Sequence, residues 1–163
     1  MGSDWVQFKG NTMKKSALIL MLLLAVPQIT LAKTNIASDF VKSVQKAADS
    51  DGIVSASVDI DCPASSASGK VLITKASYEF EKSVGAFIFK NSNDTPAIIT
   101  SLSTESPNGD FTSNEIIGMS FIFKMSGGQF FVDIFKNGKA RAGVNKNGTS
   151  GIVWVDCKII KPS

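Results

Sequence analysis

The chain holds two cysteines, Cys62 and Cys157, and each falls on the apolar side of a segment that alternates in twos. In "GIVSASVDIDC", Val54, Ala56, Val58, Ile60 and Cys62 alternate with Ser55, Ser57, Asp59 and Asp61. In "GIVWVDCKII", Val153, Val155, Cys157 and Ile159 lie on one side, with Trp154, Asp156 and Lys158 on the other. Such alternation marks a β-strand with one buried face. Each cysteine therefore points inward, one near each end of the strand set, and a bond between them would force the first and last strands side by side. It would close 94 intervening residues, worth about 4–5 kcal/mol on the chain-entropy account.

Whether two thiols pair depends on the compartment, and the start of the chain speaks to that. "MKKSALILMLLLAVPQITLA" at 13–32 places Lys14 and Lys15 before an unbroken apolar run from Ala17 to Val26, then Pro27 and a small-residue end. This is the three-part layout of a secretory signal peptide, with cleavage expected after Ala32. A membrane-spanning helix needs roughly 20 apolar residues, about twice this run. Residues 1–12 read as an upstream extension, and 33–163 as a single secreted β domain. Exported chains fold where disulfides persist, so Cys62 and Cys157 are expected to pair. The expected location is periplasmic or secreted, with no membrane span in the mature chain.

The same division changes the charge balance. The full chain carries 17 Lys+Arg against 14 Asp+Glu, but Lys9, Lys14, Lys15 and Asp4 precede Lys33, which leaves 14 against 13. A net charge near +1 is no footprint for nucleic acid. The remaining 131 residues suit one domain with one core.

Between the cysteine segments the chain reads as a meander. "GKVLITKASYEF" is expected to turn Leu72, Ala76, Tyr78 and Phe80 to one face, and "GAFIFK", "PAIITSL", "NEIIGMSFIFKM", "QFFVDIF" and "KARAGV" follow. Asn137-Gly138 predicts a type I′ hairpin, and Ser126-Gly127-Gly128 and Asn147-Gly148 predict two more turns. The one long connection, 103–114, is polar and carries Pro107 and Gly109. Several strands are apolar on both faces: Phe130, Val132 and Ile134 are opposed by Phe131 and Phe135. The expected cover for the second face is the helix at 36–49, where Ile36, Phe40, Val44 and Ala47 form a stripe. Asn35 or Ser38 would cap it and Gly52 would stop it. The predicted fold is mainly β: an N-terminal helix, then about eight antiparallel strands in an up-and-down barrel or sandwich, with one disulfide.

Chemistry is narrowed by what is missing. With no histidine in the chain, Ser-His-Asp and Cys-His activation and His-ligated metals fall away. A disulfide removes thiol chemistry as well. Ser43 and Lys46 match S-x-x-K, but the companion elements of penicillin-recognising enzymes are absent. Asp49, Asp51 and Gly52 match part of a calcium loop whose first and twelfth positions would be Ala47 and Val58, which offer no oxygen side chain. Glu79 with Glu81, or Asp59 with Asp61, would sit on one solvated strand face, whereas glycosidase carboxylates face each other across a cleft. The sequons at Asn93 and Asn147 would matter only where glycans are added. No cofactor, metal or catalytic residue is expected.

Binding is the remaining role. Trp154 lies on the side of the last strand away from Cys157, either under the helix or open to a partner. Lys136, Lys139, Arg141 and Lys146 form a small cationic hairpin, a solvated face or a dock for an acidic surface. Pro107, Asn108 and Phe111 shape the long loop, and loops on a rigid sheet tend to carry function. A meander whose disulfide ties early to late strands resembles the small barrels of periplasmic lysozyme inhibitors; the resemblance is architectural and transfers no residue roles. The function expected is that of an exported, non-catalytic binding protein, possible as an inhibitor or neutraliser of a cell-wall hydrolase or toxin. Its partner would be a protein or a small apolar ligand inside the barrel. The alternatives are a small carboxylate-dependent hydrolase and a subunit of a surface assembly.

Overall fold

The computed structural model describes residues 35–90, 95–107, 115–146 and 151–161. Residues 1–34, which hold the expected leader and the extension before it, and the turn expected at Asn147-Gly148 lie outside them, as do Asn93, Asn108 and Phe111. Helix α1 (Ile36–Ala48) precedes eight strands: β1 (Ile53–Asp61), β2 (Gly69–Lys75), β3 (Val84–Phe89), β4 (Ala97–Glu105), β5 (Gly118–Met125), β6 (Gly128–Phe135), β7 (Lys139–Lys146) and β8 (Val153–Ile160). Each strand pairs antiparallel with the next, and β8 returns to β1. Of the two arrangements open to the alternating pattern, the chain takes the closed barrel.

Closure is narrow. Only Asp59–Asp61 of β1 pairs with Lys158–Ile160 of β8, whereas β5 and β6 pair without a break from Gly118 with Phe135 to Met125 with Gly128. The next position along the narrow seam opposes Cys62 to Cys157, and they are bonded, with Cα atoms 4.2 Å apart. The disulfide thus stands where the ladder stops. The Ser68 hydroxyl accepts from the Cys62 N–H at 2.8 Å and donates back to the Cys62 carbonyl, bracing the chain as it leaves β1.

Inward side chains fill the barrel. The Phe87 ring lies 4.6 Å from that of Phe130 and 5.9 Å from that of Phe123, among fully buried Val58, Val71, Ile73, Met119 and Val132. These buried side chains belong to one apolar core.

Helix α1 does not cover the second face of the sheet, contrary to expectation. Its buried residues Ala37, Phe40, Val41, Val44, Ala47 and Ala48 join the inward core, and the Phe40 ring sits 5.8 Å from that of Phe121. Two anchors hold it at one end of the barrel. Asn35 caps the helix by accepting from the Ser38 N–H, while its amide donates to the Lys136 carbonyl in the β6–β7 connection at 2.6 Å. At the other terminus the Gly52 N–H reaches the Ala47 carbonyl and the Asp51 N–H that of Ala48, the paired closure of a Schellman motif. The left-handed residue is Asp51, with φ 51°, and not the glycine beside it.

Two further readings of the sequence need correcting. Strand β2 ends at Lys75, with Val71 and Ile73 inward, so Leu72, Tyr78 and Phe80 do not share an inner face. The Val71-Leu72-Ile73 run is apolar throughout and gives alternation no phase. The Asn137-Gly138 hairpin is also not type I′: Gly138 has φ 91° and Asn137 is not in the positive region. The Gly138 N–H closes on the Phe135 carbonyl and Phe135 is followed by a three-residue loop before β7, the next commonest hairpin form.

Tyr78 gives a clean test of how the β2–β3 connection packs on the helix terminus. Burial, followed by the charge of Asp49 and a hydrogen bond to it, pushes the phenol up to about 12. The folded chain then holds this proton more tightly than the unfolded chain, so the contribution to stability is present at neutral pH and lost as pH climbs from about 10 to about 12. Tyr78 is the single tyrosine in the sequence, so tyrosinate absorbance reports it alone. Its midpoint should fall towards the ordinary value in Asp49→Asn and in denaturant. A native midpoint at the ordinary value would refute the packing.

Candidate functional site

The outer wall of β5–β8 gathers the most developed group of side chains. Ser120, Asp133, Arg141 and Asp156 are successive cross-strand partners, and Ile122, Phe131, Gly143 and Trp154 form the next row. Alternation turns both rows outward, since Val132, Ile134, Ala140 and Ala142 fill the core. Asp133 is nevertheless only 1% exposed. Ser120 Oγ donates to its Oδ1 at 2.6 Å and Arg141 Nε donates to its Oδ2. A carboxylate this buried needs such partners, because an uncompensated charge out of water is costly.

Arg141 is held on its other sides by aromatic rings. Its guanidinium carbon lies 4.5 Å from the centre of the Trp154 ring and 5.7 Å from that of Phe135. Phe131 meets Trp154 edge-on at 6.1 Å. The tryptophan has a seat because residue 143 is glycine: a Cβ there would come within 2.9 Å of the Trp154 ring and 2.5 Å of Ile152. Trp154 stays 37% exposed and the Arg141 side chain 40% exposed. Glu105, near the same pair, is held above the ordinary carboxylate range by burial and by the charge of Asp133, with Arg141 opposing. The folded state therefore favours its proton, and that contribution fades as pH rises through the raised range.

The wall therefore offers a rigid indole face and an oriented guanidinium fork. Nε is committed to Asp133, while the Arg141 side chain as a whole stays partly exposed. Trp154 is covered in part by Phe131 and Arg141, while the helix packs on the opposite face of the sheet. Arg141 is no loose member of a cationic hairpin, although Lys139 beside it is exposed.

The other candidates do not assemble with Trp154. Pro107 is exposed just past the end of β4, four strands round the barrel and at the helix end, and Asn108 and Phe111 are outside the described residues. Glu79 and Glu81 lie on no strand: both belong to the β2–β3 connection, where Glu79 pairs with Lys82 at 2.6 Å. Asp59 sits 3.8 Å from Lys70 and Asp61 3.6 Å from Lys90. Ser43 and Lys46 are exposed on the helix, and Asp51 closes its last turn. Among the described residues, no His/Cys/Asp/Glu group is gathered as a metal site would be. No helix among them is long and apolar enough to cross a membrane.

Asp133, Phe131, Phe135, Ser120 and Gly143 were not singled out by sequence. One signal was available, a lone acid in the apolar "QFFVDIF" across a hairpin from Arg141, but the two-residue turn read at Asn137-Gly138 would set Ile134 opposite Arg141, and only the three-residue loop at 136–138 brings Asp133 there. Comparison with family models, with curated proteins and with solved structures finds no match to this chain.

Proposed function

We propose that this chain is an exported, non-catalytic binding protein that engages a partner protein through the outer wall of β6–β8. The role that fits is that of inhibitor or neutraliser, with a cell-wall hydrolase or a toxin as the kind of target. The observation that carries this reading is the stacking of Arg141 between Trp154 and Phe135, fixed from beneath by buried Asp133. Tryptophan and arginine dominate interface energies, most of all when they are ordered before the partner arrives. The leader and the disulfide support an oxidising compartment outside the cytoplasm. Catalysis has less support, since the wall's buried carboxylate, Asp133, is engaged by both Ser120 and Arg141.

Capture from periplasmic or host extract tests this. Trp154→Ala should cost about 1–2 kcal/mol of stability, the sum of one aromatic pair and one partly exposed cation–π contact. It should weaken retention of the partner at least about tenfold, as loss of a hot-spot residue does. In the chain from Lys33 onward Trp154 is the one tryptophan, and its emission should shift when the partner binds. A partner retained equally by wild type and Trp154→Ala would place the contact elsewhere.

A further inference from the structure

We propose that the β2–β3 connection, residues 76–83, is a separate binding element that inserts Phe80 into an apolar, basic-rimmed pocket of a protein partner. The connection is packed inside out. Ser77 and Ser83 are buried, while Phe80 is 70% exposed and Val84, which follows, is 55% exposed. The informative part is the pair of buried hydroxyls, which must be bonded to be tolerated, together with an exposed cluster of Phe80, Val84 and Ile53 in place of a single exposed ring.

The ring is not left out by slackness. Ser83 Oγ accepts from the Ser77 N–H at 3.0 Å and donates to the Ser77 carbonyl at 2.9 Å, which fastens the two ends of the connection together. The Glu79 N–H donates to Ser77 Oγ and the Lys82 N–H to the Glu79 carbonyl. Next to Phe80, Glu81 takes φ 61°, a left-handed conformation unusual for a side chain of its kind, and its N–H is tied to the Thr100 carbonyl of β4. Non-glycine residues persist there only when their surroundings dictate it, and such positions gather at binding elements. Ile53 extends the apolar tip, since Lys75 pairs with both Ile53 and Val84.

Charge names the partner's chemistry. Asp49, Asp51, Glu79 and Glu81 surround the tip, against Lys75 and Lys82, and those two lysines are already engaged by Asp51 and Glu79. The rim is net acidic, so the matching pocket carries basic groups around an apolar floor. This element lies at the helix end of the barrel, away from Trp154, and does not depend on the wall described above.

The test uses phage-displayed short constrained peptides selected on the full chain. Enriched sequences should combine apolar or aromatic residues with arginine or lysine and should weaken as salt is raised. Phe80→Ala should reduce their binding at least about tenfold, Phe80→Leu should restore part of it, and Glu79→Gln/Glu81→Gln should reduce it further. Trp154→Ala should leave it unchanged, which separates failure here from failure of the wall. Because Phe80 is largely exposed, an unchanged thermal transition would show that Phe80→Ala is folded. Enriched sequences that are acidic, or that bind Phe80→Ala as well as wild type, would overturn the proposal. So would selection that yields no clone preferring wild type over Phe80→Ala.

Discussion

Replacing Cys62 and Cys157 together with alanine should lower the free energy of unfolding by about 4–5 kcal/mol, the chain-entropy value for a loop of this length. The local structure argues against a smaller loss. Beyond the bond, β1 and β8 are joined only through Asp59–Asp61 and Lys158–Ile160, three pairs against eight between β5 and β6. The damage should be uneven: amide exchange should quicken first along β1 and β8, while β5 and β6, paired over their whole length, stay protected. Denaturant unfolding of the oxidised protein and the double variant measures the difference, and thiol titration of the native protein should find no free sulfhydryl. A loss below about 1 kcal/mol, or uniform exchange, would mean that the seam closes without its bond.

Arg141→Met should cost about 3–5 kcal/mol, more than Asp133→Asn, even though both break the same pair. Exposure decides the order. Asp133 is 1% exposed and cannot return to water when its partner goes, whereas the Arg141 side chain, 40% exposed, can. Methionine keeps most of the arginine's apolar stem but not the guanidinium over Trp154, so about 0.5–1 kcal/mol of the loss is the cation–π contact and the rest reports the stranded carboxylate. Combining Arg141→Met with Asp133→Leu should recover most of the stability, because an apolar pair strands no charge. Equilibrium unfolding of the three variants is the measurement; a milder effect from Arg141→Met than from Asp133→Asn would contradict the asymmetry.

How legible these features were depends on the period each one follows. The cysteines and the strands around them follow a period of two that survives in the barrel unaltered, so Cys62 and Cys157 could be placed inward and joined. Helix α1 could be delimited to within a residue from Asn35 and its stripe. Its position could not, because a stripe says which side of a helix is apolar and not which surface will receive it. In β2 the Val71-Leu72-Ile73 run has no polar residue to set a phase, and hydroxyls at Ser77 and Ser83 ended the strand early. The Trp154 wall was half legible: the tryptophan was found from its own strand, but Asp133, Arg141 and Gly143 meet it only through register across three strands. Phe80 was read as sharing a strand face with Leu72, Ala76 and Tyr78, because nothing in its own stretch betrays that Ser83 will bond the Ser77 backbone and close the connection.

The narrow seam also sets an order of events. Strands β5 to β8 join neighbours in the chain, whereas the two sulfurs are 95 residues apart in sequence and are held together in the native state only where the sheet has curled round to meet itself. The intact bond is therefore a mark that β1 and β8 stand side by side. A chain that has not closed would still carry two free, oxidisable thiols, which is how an oxidising compartment would tell an unfinished molecule from a finished one.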